Sequence, residues 1–577
     1  MIYLPTITRN QSRLRIVTTS PKLESAIRQK RSPTRSPHAA NSASNANSHD
    51  DIDHQILGHS SEMPGLHSTH VWQPPYTARM ATFLLITLCV LFLAVGILSR
   101  VRHTSEHGDL GEHGADRLML ANRQLPMWIA FLTLAATWIG GGYINGTAEA
   151  VYDPQLGLVW CQAPWCYALS LVLGGFIFAK PMRERGYHTM LDLFDQRYGK
   201  GVTSVLFVPA LIGDLFWTAA ILSALGNTLA TLLNLDATTA MVVSASVVVA
   251  YTVWGGLWSV AISDVLQLSF IVFGLSLALP FAVAQTGGIT ATWQAYEQAF
   301  PLQSRLIPDA AAWTGPQPWG WQWLDAALLL IFGGIPWQVY FQRILACRTS
   351  SAAKWMSVCA GIVCLVVALA PIGLGMVGTC LDWNKIDAGP PPSAAAVLPH
   401  VMQYATPQVI GILGIMALLA AVMSSMDSSI LSSASMFTWN IYRPWVGGDV
   451  RMHQRVLRVA VVVVGIMTTA MALTVTSVYQ LWFLCADLVY VILFPQLVMA
   501  LFHPRVTRLA AVSGIVVSVM LRIIVGLLDT GWAPLTWLAE QTAYWPRLTF
   551  VMVTALITIS LTSWINPRRS AVSVEGP

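Results

Sequence analysis

The sequence predicts an all-α membrane protein with about 13 transmembrane helices. Of its 577 residues, 55% are hydrophobic and only 11% are charged. A soluble domain carries about 25% charged residues, so there is too little charge for a water-facing surface. Apolar runs of roughly 18 residues or more, enough to cross a bilayer, recur along the chain. In lipid each backbone N–H and C=O must be satisfied internally, so many such runs imply a helical bundle.

Residues 1–79 stand apart. They are rich in Ser, Asn, Pro, His and Arg and have no periodic apolar face, which predicts a disordered polar and basic tail. The first 47 residues hold eight basic residues and one acid, Glu24. That composition suits a plain polar tail and also a mitochondrial transit peptide. Thirteen spans follow, at 80–99, 125–150, 156–180, 202–233, 239–256, 260–284, 323–345, 355–381, 405–440, 456–474, 478–502, 509–528 and 548–566. The transmembrane domain is expected over 80–567, with residues 568–577 as a short cytoplasmic C-terminus.

Charge orients these spans. Connections after odd-numbered spans, counted with the helix ends beside them, hold twenty Lys and Arg, among them Arg100, Arg183, Arg343, Arg458 and Arg569. Those after even-numbered spans hold three: Arg305, Lys385 and Arg547. By the positive-inside rule the first set is cytoplasmic. The body then starts outside and ends inside, with the N-terminus outside and the C-terminus cytoplasmic. The net charge of +5 matters less than this placement.

Several classes are excluded. The eight cysteines show no CxxC pair and no metal spacing with histidine, and read as small packed hydrophobes. There is no GxxxxGK[ST] loop for ATP, no Gly-x-Ser-x-Gly elbow and no His-Glu-x-x-His helix. With only six lysines, no folded basic surface is left for nucleic acid. The expectation is a bilayer-embedded protein that is not an enzyme and needs no cofactor.

Two spans are interrupted alike. The second reads Ala135-Ala136-Thr137-Trp138-Ile139-Gly140-Gly141-Gly142-Tyr143, and the seventh Phe332-Gly333-Gly334-Ile335-Pro336-Trp337-Gln338. Glycine and proline in mid-span weaken a helix. The two breaks stand five spans apart, at corresponding places in two five-helix halves near 125–284 and 323–502. Paired broken helices point to a transport site, because unwound backbone exposes carbonyls and amides to a solute. A single glycine cluster reads as close helix packing, and it is the matched pair that favours the site. Each break carries a tryptophan, Trp138 or Trp337. Most of the 23 tryptophans suit interfacial belts. These two lie at mid-span, where either core packing or a cation–π cage for a quaternary ammonium accounts for them.

The ninth span carries Ser424, Ser425, Asp427, Ser428 and Ser429. Hydroxyls and a carboxylate at membrane depth are hard oxygen ligands for a small cation, and an intramembrane acid is a functional candidate by default. Serines alone serve equally as helix–helix contacts. Asp264, near the start of the sixth span, reads either as a second such acid or as a solvated helix-end charge favoured by the dipole.

The segments "ATWIGGGYINGTAEAVY", "LGGFIFAKPMRERGY", "FGGIPWQVYFQR", "AAVMSSMDSSILSSASMF" and "LWFLCADLVYVILFPQL" resemble the sodium:solute symporter family, and within it the choline-transporting branch. They cover most of residues 120–502. The resemblance implies two inverted five-helix repeats, a LeuT-like fold with flanking helices. It implies a sodium held by backbone oxygens of Ala136, Ile139 and Ala421 and the hydroxyls of Ser424 and Ser425. It implies a second sodium candidate at Asp264, Asp427 and Ser428. Around the ammonium head it implies an aromatic box of Trp138, Tyr167, Trp337 and Trp482. It also implies chloride dependence, with no motif to place the anion.

The expected function is therefore sodium-coupled choline uptake, at the plasma membrane. The alternatives are a sodium symporter for betaine, proline or a sugar, and a choline-sensing receptor or channel. Because residues 1–79 lack the composition to bury a core, and Met80 can start the first span, a protein beginning at Met80 should insert and take up choline like the full chain. Surface level and uptake of both forms, each with a C-terminal fluorescent tag, check this. Loss of either in the shorter form would assign the tail a targeting role.

Overall fold

Bilayer length and apolar composition make helix the regular structure of the described residues. The computed structural model describes residues 119–565, except 234–235, 254–256, 387, 475–476 and 531. The tail at 1–79, the span at 80–99 and the C-terminus at 568–577 lie outside the described residues. The remaining twelve expected spans each meet a helix or a broken pair: ten long apolar helical units, one bent pair and one shorter apolar helix.

The second expected span is two helices, α1 (Met127–Trp138) and α2 (Gly141–Tyr152), bent by 47°. Next come α3 (Ala163–Leu173), continued through a π-helical turn at Gly174–Ala179, and α4 (Lys200–Leu233). The first half closes with α5 (Ala237–Thr252) and α6 (Leu257–Gln285). A helix not anticipated from the sequence, α7 (Ile289–Ala299), follows α6. The seventh span divides into α8 (Gly320–Gly333) and α9 (Gln338–Ala346). The eighth begins at Ser350, not 355, because Thr349 caps it, accepting from the Ala352 amide at 3.1 Å. It runs as α10 (Ser350–Val367) and α11 (Leu369–Cys380). After a short helix, α12 (Val397–Tyr404), come α13 (Gln408–Met436), α14 (Val450–Ala472), α15 (Val478–Leu488), α16 (Phe494–Phe502), α17 (Arg508–Asp529) and α18 (Arg547–Ile565).

Many polar residues are buried within the bundle, and its outer face carries large apolar side chains. Every residue from Ala417 to Met436 of α13 is buried, including all seven of its serines. α13 packs against α1, α2, α4, α5, α6, α9, α12 and α14, which makes it the axis of the bundle. Outward-facing positions such as Phe273, Val459, Ile466, Ile523 and Trp564 are exposed apolar side chains, as lipid contact requires. No disulfide forms among the described cysteines.

One expectation is corrected. Arg343 does not act as a loop charge at the end of α9. Its side chain is fully buried, because α9 is short and enclosed along its whole length, so the residue turns into the bundle.

Candidate functional site

The break in α1 is set by its own sequence. The Ile139 amide donates to Ala135 O at 2.8 Å and is the last to continue the helix. The chain then extends through Gly140, at φ −81° and ψ 175°. The carbonyls of Ala136 and Thr137 lie past that last donor, as the final carbonyls of any helix do. α13 supplies what α2 cannot. Ser424 Oγ donates to Ala136 O at 3.0 Å, and Ser425 Oγ donates to Thr137 O at 2.7 Å. Both hydroxyls also lie 3.0–3.2 Å from Ala421 O, within α13. Gly140 allows this approach, since a Cβ there would stand 2.1 Å from Ser425 Oγ. Four of the five residues expected at the first sodium are thus brought together. Ile139 stands at the break itself, outside the helical register. The Thr137 carbonyl joins them, which sequence reasoning missed.

The second break lies between α8 and α9. Gly334 still donates to Leu330 O at 3.1 Å, but Pro336 has no N–H to give. Trp337 is extended, at φ −111° and ψ 133°. Its indole N–H donates to Gly333 O at 2.6 Å, which fixes the ring. A Cβ on Gly334 would come 2.9 Å from the Tyr167 ring, so the glycine lets Tyr167 settle against the break.

The two breaks frame one narrow cavity of about 20 Å³, lined by Trp138, Tyr167, Trp217, Trp337, Trp482 and Cys485. All four residues expected in the aromatic box are in its wall. Tyr167 of α3 and Trp482 of α15 stack at 5.0 Å with 16° between planes. Trp217 of α4 was not anticipated. It stands between the two break tryptophans, 5.8 Å from Trp138 and 5.5 Å from Trp337. Its signal was available: it lies at the middle of a 34-residue helix, where an interfacial belt does not explain a tryptophan. Cys485, on α15, completes the wall and was also missed.

The residues of the second sodium candidate meet a cation that belongs to the protein. Arg343 Nη2 lies 3.7 Å from Asp264 Oδ2, with both side chains fully buried. The same nitrogen donates to Ser428 Oγ at 2.5 Å and Thr137 Oγ1 at 3.1 Å, while Thr133 donates to Asp264. Asp427, next along α13, also interacts with Arg343 through its charge. Asp264 is therefore not a solvated helix-end charge. It joins α6 to α1, α9 and α13 through one guanidinium.

The sequence pattern of the sodium:solute symporter family matches residues 118–518. The chain is 41% identical over 506 residues to high-affinity choline transporter 1 of Caenorhabditis elegans, covering 82% of this chain and 83% of that one. It is 40% identical over 501 residues to the high affinity choline transporter 1 of Homo sapiens, covering 82% and 83%. Among solved structures, a Na+-coupled sialic acid symporter in a substrate-bound outward-open state superposes with a TM-score of 0.68. That pair shares 16% identity and covers 86% of this chain and 99% of the other, which is likeness of fold.

The buried pair generates a prediction. Removing one partner strands a charge, so Arg343→Met alone should cost about 3–5 kcal/mol, and Asp264→Leu a similar amount. Together they should cost clearly less than their sum. Heating the detergent-solubilised variants and measuring the folded fraction checks this, and strictly additive losses would dissolve the pair.

Proposed function

The chain belongs to the sodium:solute symporter family, and we propose that it takes up choline across the membrane, driven by the inward flow of sodium. The single observation that carries the choline reading is the cavity with five aromatic rings in its wall, placed between the two helix breaks. Aromatic faces attract a cation through their quadrupole and have no need of hydrogen-bond donors on it, which suits a quaternary ammonium group. A sugar would need several convergent polar groups. Here the Trp337 N–H is already committed to Gly333 O, and the cavity's other polar side-chain groups belong to Tyr167, Cys485 and the remaining indoles. A sensor or channel would not need the hydroxyl-and-carbonyl seam beside the cavity. A sodium-coupled carrier does.

Sodium is assigned to that seam. With the ion bound to the carbonyls of Ala136, Ile139 and Ala421 and to Ser424 and Ser425 Oγ, the oxygens of α1 and α13 converge on one positive charge instead of sharing two hydroxyl protons. Trp138 follows Ala136 by two residues, so holding the end of α1 also holds one wall of the cage. That is a physical route for coupling: the ion fixes the backbone that positions the ring. At Asp264, Asp427 and Ser428, the Arg343 guanidinium supplies the positive charge, so we assign no sodium there. We place the protein in the plasma membrane, as uptake into a cell requires, and its C-terminus in the cytoplasm, following the distribution of Lys and Arg.

Two experiments test this. Trp138→Ala, Trp217→Ala and Trp337→Ala should each weaken choline binding roughly 30-fold, since a desolvated cation–π contact contributes about 2 kcal/mol. Phe at each position should retain part of the binding, and three alanine variants that bind like the parent would remove the cage. Ser424→Ala and Ser425→Ala should raise the sodium concentration for half-maximal uptake in proteoliposomes, with choline affinity at saturating sodium changing less. Unchanged sodium dependence in both would take α13 out of the ion site.

A further inference from the structure

We propose that Asp214, Ser432 and Ser433 form a second sodium station between α4 and α13, beyond the cage on the side toward Lys200. The proposal rests on the sodium-coupled reading above and explains buried groups that this reading leaves unused.

Asp214 sits in the middle of α4 and is 1% exposed. Ser433 Oγ donates to its Oδ2 at 2.7 Å. One turn along α4, Thr218 Oγ1 donates to the Asp214 carbonyl at 2.6 Å and shares a hydrogen bond with Ser429 Oγ. Ser432 Oγ stands beside the same carboxylate. It makes no hydrogen bond of proper geometry and is fully buried. A buried hydroxyl beside a carboxylate puts a second hard oxygen within reach of a cation held there.

Charge points the same way. The other buried acids of the bundle each meet positive charge. Asp264 faces Arg343, and Asp487 pairs with Arg522 at 2.5 Å. Asp427 lies in the field of Arg343. Asp325 accepts from the first amides of α18, Leu548 and Thr549, where the helix dipole is positive. Glu149 accepts from Tyr479 N and Ser477 Oγ at the start of α15 in the same manner. Among the described residues Asp214 has the Ser433 hydroxyl as donor, with Ser432 beside it, and no Lys, Arg or His at ion-pair distance. Hydroxyls solvate a carboxylate without neutralising it, and a buried charge without a counter-charge is costly. A mobile cation removes that cost, and a carboxylate with converging hydroxyls is the hard-oxygen donor set such an ion takes.

The spacing on α13 connects this station to the first. Ser425, Ser429, Ser432 and Ser433 fall at i, i+4, i+7 and i+8, which lines one face of a helix. At 1.5 Å per residue, Ser425 and Ser433 lie about 12 Å apart along the axis. The hydroxyls form a ladder from the break in α1 to Asp214. Trp217, one turn from Asp214, faces the cage, so an ion at this station bears on the same helix that holds the substrate wall.

The test is binding of radioactive sodium to the purified full chain in nanodiscs without choline, read beside sodium-dependent choline uptake. The parent should bind more sodium than Asp214→Asn, by about one equivalent, and Ser424→Ala should lose a different equivalent. Ser432→Ala leaves the carboxylate and its hydrogen bond from Ser433 in place, so it keeps the question answerable if Asp214→Asn does not fold. It should weaken the second component roughly tenfold, as loss of a ligand to a charged group does. Unchanged sodium binding in both variants overturns the station. Unchanged sodium binding with a tenfold loss of choline affinity also overturns it, and makes Asp214 a counter-charge for the substrate. If the parent itself binds no sodium, the sodium-coupled reading fails, which is distinct from failure of the station alone.

Discussion

The bundle depends on a helix that stops in the middle of the membrane. Where α1 ends at Trp138, its final carbonyls have no helical donors, and lipid supplies none. Ser424 and Ser425 of α13 meet those carbonyls at 3.0 and 2.7 Å. The seam lets an irregular backbone persist at membrane depth. It also gathers oxygens of two helices at one point. The same atoms satisfy the fold and are the ligands we propose for the sodium ion. A glycine at 140 is needed for the approach, because any side chain would occupy the space of the Ser425 hydroxyl.

Around this seam the buried charges are arranged with their compensation in place. Arg343 reaches into the bundle and gathers Asp264, Ser428 and Thr137, so four helices converge on one guanidinium. Such a pair adds little net stability, yet it cannot lose one partner cheaply. It therefore works as a constraint on how α1, α6, α9 and α13 sit relative to one another. Asp214 is the contrasting case: among the described residues its carboxylate has serine hydroxyls and no cationic side chain at ion-pair distance, which is why we propose it for a moving ion.

The wall of the aromatic cavity is divided among helices. Trp138 and Trp337 sit at the two breaks, Tyr167 and Trp482 stack across from α3 and α15, and Trp217 closes the gap from α4. Each ring comes from a different helix or half-helix. Movement of either break changes the cage, which is what coupling of ion and solute requires.

By itself the sequence determined what is local. Apolar run length set the spans. Glycines and a proline set the two breaks, because backbone freedom and a missing N–H act on the residue that carries them. The residue types at the breaks and on α13 indicated which chemistry to expect, and four cage residues were legible with the help of a family resemblance. The tertiary structure alone decided the pairings. Arg343, counted from its place near a helix end as a cytoplasmic charge, turns inward to Asp264. Trp217 and Cys485 face the cavity, and Thr137, not only Ala136, offers its carbonyl. Whether Asp214 meets an arginine or only serines was likewise open. These outcomes depend on how each helix is rotated about its axis and on which distant helix it touches. An almost uniformly apolar segment carries little periodic signal for that rotation, so packing of the whole bundle was needed to settle it.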